Sequence, residues 1–104
     1  MPVRQYNATR PPDQTLLMDR LVNEWRVLDP TATEPVILEE PDAKHQVVHV
    51  YVIWSDWAHL DRVRRGEIIM DAAERVKPVE ELLNITIAMG LTPEEADRFG
   101  IKWR

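Results

Sequence analysis

The stretch that decides the fold is Val-Val-His-Val-Tyr-Val-Ile-Trp, residues 47–54, which breaks at Ser55-Asp56. Its β-branched and aromatic residues favour a strand. Side chains alternate between the two faces of a strand, so Val48, Val50, Val52 and Trp54 share a uniformly apolar face. The opposite face, which includes His49 and Tyr51, is more mixed. We therefore expect helices to cover the first face and leave the second only partly covered.

The segment after this strand predicts a helix over residues 60–77. It contains no proline and repeats apolar residues at helical spacing, at Val63, Ile69, Ala72, Ala73 and Val76. Gly66 indicates either a close approach to another backbone or a break between two helical pieces. Pro78, followed by Glu80 and Glu81, predicts the start of a short helix that ends near Leu83.

The preceding residues predict a helix and an edge strand. Asp13 is placed as an N-cap for a helix over residues 13–28, which Asp29-Pro30 ends. The apolar face of that helix consists of Leu16, Leu17, Leu21, Trp25 and Leu28. Residues 34–39 predict an edge strand with Pro35 at its entry, and residues 41–44 predict a turn.

The end of the chain predicts a third strand and a last helix. Ile85, Ile87 and Met89 alternate with less apolar residues, and Gly90 is expected to end that strand. Residues 92–95, Thr-Pro-Glu-Glu, combine an N-cap threonine, a proline at the first helical position and a glutamate at the third, which predicts a capping box. The helix should run to Phe99 and stop at Gly100.

These elements predict an α+β fold with the order αββααβ. A strand, a helical crossover and another strand of the same sheet imply a parallel pair, so we expect a mixed three-stranded sheet with helices on one face and a short C-terminal helix. Residues 1–12, rich in proline, predict an extended arm, and residues 13–104 predict a single domain.

Composition narrows the classes of function. The chain of 104 residues has a net charge of -5 and no cysteine, which removes disulfides, thiolate chemistry and cysteine-based metal sites. No apolar segment approaches the length of a membrane span, and the N-terminus lacks the apolar block of a secretory signal. A reducing cytoplasm is therefore the expected compartment. The acidic balance argues against a surface that grips phosphate throughout, although it leaves room for a local basic patch.

The order of elements resembles the class II KH-like topology of the BolA family. The matching segments are Val50-Tyr51-Val52-Ile53 ahead of Ser55-Asp56, the aromatic Trp57, Arg65 in the next helix, and residues 85–88 leading into Thr92-Pro93-Glu94. The resemblance covers most of the chain and implies the same fold. In that family a histidine directly after the arginine ligates an iron–sulfur cluster shared with a monothiol glutaredoxin. Here Gly66 follows Arg65, so the resemblance does not carry that ligand over.

Two kinds of site are weak in this sequence. A KH domain that binds nucleic acid clamps the backbone with a Gly-x-x-Gly loop, and the glycines here do not form one. Asp56, His59 and Asp61 could hold a metal ion or a proton, but metal sites need three or four converging ligands. A loop in which Asp56 caps the following helix is the favoured interpretation. We expect no catalytic residue, no metal and no cofactor.

The remaining candidates form a contact surface. Arg62, Arg64 and Arg65 are the basic cluster of the chain, and they could contact RNA or phosphate, dock a partner, or form a solvated face with local ion pairs. Trp25 and Trp54 fit core faces, whereas Trp57 in a loop and Trp103 in the tail are placed as interface anchors. The sequence therefore predicts a binding or adaptor module, or a homo-oligomer, that uses Trp57, Tyr51, His49, Arg62, Arg64 and Arg65. The alternative is a KH-like RNA-binding protein that uses the arginines, and a small enzyme at Asp56 and His59 comes last.

Overall fold

The computed structural model describes residues 12–27, 34–42 and 44–103. The strands are β1 (Val36–Asp42), β2 (Val47–Ile53) and β3 (Ile85–Leu91). The helices are α1 (Pro12–Val27), α2 (Arg62–Val76), α3 (Val79–Leu82) and α4 (Pro93–Arg98), and a 3-10 helix spans Ser55–His59. The predicted α+β class and its αββααβ order with a short C-terminal helix are confirmed.

The sheet is mixed, as predicted. Its order is β1-β2-β3, with β1 antiparallel and β3 parallel to the central strand. The turn predicted at residues 41–44 is wrong in part, because Pro41 and Asp42 continue β1 and lie opposite Val48 and Val47. Proline has no backbone N–H to donate to the ladder. It is tolerated here because β1 is an edge strand, where such a donor is not required on the open side. Residues 44–46 form the turn, and Gln46 has a positive φ of 56°.

Helices α1 and α2 cover the face of β2 that was predicted to be apolar. The buried cluster under them includes Val50, Val52 and Trp54 of the β2 segment, together with Leu21 of α1 and Ile69 of α2. Val63, which was assigned to the same helical face, is 72% exposed, so that part of the prediction is wrong. Helix α2 is continuous through Gly66, where an added Cβ would lie 3.2 Å from the carbonyl oxygen of Ala88. Of the two alternatives predicted for this glycine, the structure therefore shows the close backbone approach and not the break between helical pieces.

The second face of the sheet is covered at one end only. Ile53, Leu91 and Ala96 form a small buried cluster there, and Ile101 and Trp103 of the C-terminal segment pack against it. Trp103 Nε1 donates a hydrogen bond to Asp97 Oδ1 at 3.0 Å. The tail indole is therefore packed against the fold, contrary to its placement as an unpacked anchor.

An irregularity in β3 explains how the two faces are filled. The register passes from Val48↔Ile85 directly to His49↔Ile87, which leaves Thr86 as an extra residue. Ile85 consequently packs on the helix side of the sheet, while Met89 packs on the other side. The predicted strand is present, but Ile85 does not share a face with Met89, and the strand continues past Gly90 to Leu91.

Two helix starts differ from the prediction by a few residues. Helix α1 spans Pro12–Val27, so the backbone of Asp13 is part of the helix and does not stand before it. The predicted end of that helix at residues 28–30 and most of the predicted arm lie outside the described residues. Helix α2 is capped by Asp61, whose side chain accepts a hydrogen bond from Arg64 N at 2.8 Å. Asp56 therefore does not cap this helix. The capping box predicted at Thr92 and Glu95 is present.

Candidate functional site

The predicted contact residues separate to opposite ends of the sheet. We use the name closed end for the region where α2 begins and β3 finishes, which includes Trp57, Arg65, Gly90 and Glu95. We call the open end the region where β2 and β3 begin and α2 finishes, which includes His49 and Lys77. Trp57 and Arg65 lie at the closed end, near the start of α2. His49 lies toward the other end of β2, four residues before Ile53, where the strand finishes. The structure therefore does not bring the predicted residues together as one surface.

Arg65 is a buried residue that ties the closed end together. Its Nε donates to the carbonyl oxygens of Trp57 and Leu60 at 3.1 and 2.9 Å. Its Nη1 donates to the carbonyl oxygen of Gly90 at 3.2 Å and to Glu95 Oε1 at 2.7 Å. The residue is only 4% exposed. The interpretation of Arg65 as part of an exposed basic cluster is therefore wrong, because its donors are used inside the fold.

Trp57 is also buried at the closed end. Its indole is fully enclosed, and Nε1 donates to the carbonyl oxygen of Val52 at 3.0 Å. The ring meets Trp54 edge to face, with the centroids 5.1 Å apart. A Cβ added to Gly90 would lie within 2.9 Å of this indole and 2.8 Å of Arg65 Cβ, so the packing requires glycine at position 90. Trp57 is thus a core residue, and its placement as an exposed anchor is wrong.

Glu95 links the arginine to the last helix. Its Oε1 accepts hydrogen bonds from Arg65 Nη1 and from the backbone N–H of Thr92, the latter at 2.9 Å. The Thr92 N–H first, and then the Arg65 guanidinium, hold the pKa of Glu95 below its usual range by stabilising the carboxylate. The carboxylate therefore stabilises the fold in its ionised form.

The other two arginines remain on the surface near the closed end. The Arg62 guanidinium lies 5.1 Å from the centroid of the Phe99 ring, which is 49% exposed. Arg64 Nη1 lies 3.9 Å from Glu67 Oε1, at the limit of an ion pair. Exposed pairs of this kind contribute little to stability. Two of the three predicted cluster residues are thus accessible, and each already faces a neighbour.

The Asp56, His59 and Asp61 segment does not form a metal site. Asp61 is used as the cap of α2. Within residues 12–27, 34–42 and 44–103, no group of three or more histidine, aspartate or glutamate side chains converges to hold a metal ion. The pattern in the sequence therefore corresponds to a 3-10 turn followed by a helix cap.

The open end exposes the second face of the sheet. Glu40, His49 and Ile87 lie side by side across the three strands, as the register shows. Glu40 is exposed, His49 is half-buried and Ile87 is 37% exposed. The next row along, Leu38, Tyr51 and Met89, packs partly against the buried cluster of that face. Of the predicted contact residues, His49 and, to a lesser degree, Tyr51 therefore border an open surface.

The same end has a groove on the helix side of the sheet. Its floor consists of Pro41, Val48 and Ile85, the row next to the covered core, and its volume is about 340 Å³. Its polar lining comes from Glu39 of β1, Lys77 at the end of α2, Glu81 of α3 and Asn84 just before β3. Val50 belongs to the buried cluster under α1 and α2, whereas Val48 and Ile85 at the groove pack against that cluster and are only partly buried.

Helix α3, which contributes Glu81 to the groove, also exposes two apolar side chains at the open end. Val79 is 66% exposed and Leu83, its C-cap, is 78% exposed. Because they are four residues apart and Leu83 keeps helical backbone angles, they lie on the same side of the helix. Leu82 between them packs toward the core instead.

The turn between β1 and β2 completes the open end. His45 Nδ1 lies 2.9 Å from Asp42 Oδ2. This side-chain hydrogen bond is the main cause that lowers the pKa of Asp42, and both side chains are exposed to solvent. The pair therefore shapes the turn without entering the groove.

Sequence reasoning missed the groove but had a signal for Arg65. Arg65 precedes Ile68, Ile69 and Ala72 by three, four and seven residues, which places it on the buried face of α2. The groove depends on Glu39 and Lys77, which are far apart in the chain, and no local pattern links them.

Comparison with known proteins leaves the chain without a match. No protein-family model, curated protein or solved structure matches it. The resemblance to the BolA family therefore stays a prediction that rests on the residues quoted above. None of the helices in the described part of the chain is long and apolar enough to cross a membrane.

Proposed function

We propose that this protein is a binding module that contacts another protein chain through the open end of its sheet. The observation that carries this proposal is the exposure of apolar side chains at that end, Val79 and Leu83 on α3 and Ile87 on the second face of the sheet. A groove with an aliphatic floor lies at the same end, on the helix side of the sheet. Single exposed apolar residues are ordinary on protein surfaces. Several of them at one end of a fold that also has a groove are typical of an interaction site.

The differing construction of the two ends supports the same proposal. At the closed end, Trp57 and Arg65 are buried and use their donors within the fold. At the open end, Ile87 of the sheet is exposed to solvent, and Val48 and Ile85 line the groove. Stability and binding are thus assigned to separate regions, so that a partner could bind without disturbing the buried arginine.

Among the predicted contact residues, His49 lies at the open end and Tyr51 borders it, both on the second face of the sheet. The arginines lie at the other end, so the RNA-binding alternative depends on Arg62 and Arg64 alone. With Arg65 buried, the exposed basic cluster is smaller than the sequence indicated, and no observation favours that alternative over protein binding.

The test is a comparison of two leucine variants. Leu83→Asp places a charge in the proposed contact surface, whereas Leu16→Asp places one on α1, where the side chain is also exposed, at 66%. Leu16 lies one helical turn before Arg20, whose guanidinium is 5.7 Å from the Trp54 ring at the far end of β2. Because both leucines are exposed, we expect both variants to stay folded, with stability changed by about 0.5 kcal/mol or less.

The readout is native mass spectrometry of the protein captured from lysate of its own host. We expect a discrete partner or a second copy to be bound by wild type and by Leu16→Asp, and to be lost from Leu83→Asp. Equal binding by both variants would contradict the proposed surface. Co-purifying RNA that is lost on Arg62→Glu with Arg64→Glu would support the nucleic-acid alternative instead.

A further inference from the structure

We infer that the groove at the open end receives a basic, apolar segment of the partner, with a lysine or arginine side chain beside Glu81 and an aliphatic side chain on the floor. This inference rests on the proposed function, because it specifies the chemistry of the protein that would bind there. Three features of the groove lead to it: its floor, the internal use of its lysine and the charge that remains.

The floor selects for an aliphatic group. Val48 and Ile85 pack only partly against the core, and Pro41 of the edge strand completes the surface. A volume of about 340 Å³ lies at the low end of the range for small binding pockets. It is sized for one or two side chains.

The lysine of the groove is already used within the fold. Lys77 Nζ lies 2.6 Å from Glu39 Oε1 and 5.8 Å from the centroid of the Trp25 ring. Its side chain is only 16% exposed. An anionic ligand would have to separate this pair, so the groove is a poor acceptor for phosphate or carboxylate groups.

The charge that remains on the rim is negative. Glu81 lines the groove, is exposed and makes no ion pair with any residue in the described ranges. Glu80, the preceding residue of α3, is also exposed. A cationic side chain that lies on the apolar floor would therefore meet an unneutralised carboxylate at the rim.

The same charge argues against a second copy of this chain as the occupant. The protein has a net charge of -5, and a symmetric contact would bring the carboxylates of the two copies together. Like charges at an interface are unfavourable. A partner that carries the opposite charge avoids this cost.

The experiment uses two synthetic probes. One is an amphipathic peptide of leucine and lysine, about 14 residues or roughly four helical turns long. The other has glutamate in place of every lysine. Fluorescence anisotropy with the full-length protein should show binding of the leucine–lysine peptide, and binding of the leucine–glutamate peptide should be at least about tenfold weaker. Stronger or equal binding of the acidic peptide would overturn the inference.

A matched pair of charge reversals separates the groove from the overall charge. Glu81→Lys should weaken binding of the basic peptide by about tenfold, as expected for loss of a charge-assisted contact. Glu94→Lys makes the same change in net charge on an exposed residue of α4, at the closed end, and should change affinity by about twofold or less. Equal losses in both variants, or no binding by wild type, would overturn the inference.

The two proposals can fail separately. If the peptides fail while Leu83→Asp still removes a partner from the host lysate, the open end is a contact surface for a partner of different chemistry. If Leu83→Asp removes no partner and Glu81→Lys still weakens peptide binding, the groove binds basic peptides but is not shown to be the contact with a host protein.

Discussion

The closed and open ends of one three-stranded sheet use their charged residues differently. At the closed end, Arg65 donates to three carbonyl oxygens and to the Glu95 carboxylate, and it is almost fully buried. At the open end, Lys77 is paired with Glu39, but Glu81 is exposed and Leu83 is mostly in solvent. Satisfied buried polar groups stabilise one arrangement of the chain. We therefore expect substitutions at the closed end to affect folding and those at the open end to affect binding.

The largest effect is expected at Arg65. Arg65→Ala leaves carbonyl oxygens and a partly buried carboxylate without their donor, so it should lower the free energy of unfolding by about 3–5 kcal/mol. Arg64→Ala, one residue earlier and exposed, should change it by about 0.5 kcal/mol or less. Urea denaturation of both variants measures the difference. Similar small losses in the two would show that the closed end does not depend on the buried arginine.

Acid should weaken the closed end through Glu95. Its pKa is lowered in the folded state, so the carboxylate contributes stability above its unfolded value of about 4.3, and this contribution is lost as pH falls through the folded pKa. Glu95→Gln should be less stable than wild type at neutral pH and should lose less stability on acidification. The stability curves of the two proteins should therefore approach each other below about pH 4.

The control for this pH dependence is the neighbouring glutamate. Glu94 is exposed on the first turn of α4, and Glu94→Gln should follow the wild-type curve of stability against pH closely. If Glu95→Gln also followed wild type at every pH, the hydrogen bonds from Thr92 and Arg65 would not be a source of acid sensitivity.

The sequence predicted the framework well because local patterns determine it. The alternation in β2 placed Val50, Val52 and Trp54 in the core, and the Thr92 to Glu95 spacing predicted a capping box that the structure contains. Both signals depend on residues close in the chain. The bulge at Thr86 was missed, because it depends on register against β2, and it moved Ile85 to the other face.

The candidate site was harder to predict because exposure depends on distant packing. The sequence placed Trp57 in a loop, yet the 3-10 turn directs its indole into the core on the helix side of the sheet, where it packs against Gly90. Leu83 looked like an ordinary apolar residue at the end of a helix, and only the fold shows that no element covers it within the described residues. For Arg65, its helical spacing from Ile68, Ile69 and Ala72 indicated a buried position, but its charge favoured the interpretation that it was exposed.

The smallest effect is expected for the ion pair at the open end, between Lys77 and Glu39. Its oxygen–nitrogen distance of 2.6 Å is short, but Glu39 is 39% exposed, and water and salt screen such a pair. A double-mutant cycle of Lys77→Met and Glu39→Gln should give a coupling energy of about 1 kcal/mol or less, decreasing with added salt. A coupling as large as the loss expected for Arg65→Ala would mean that the open end is also a structural centre. In that case, the groove could not be altered without cost to the fold, and the division between the two ends would fail.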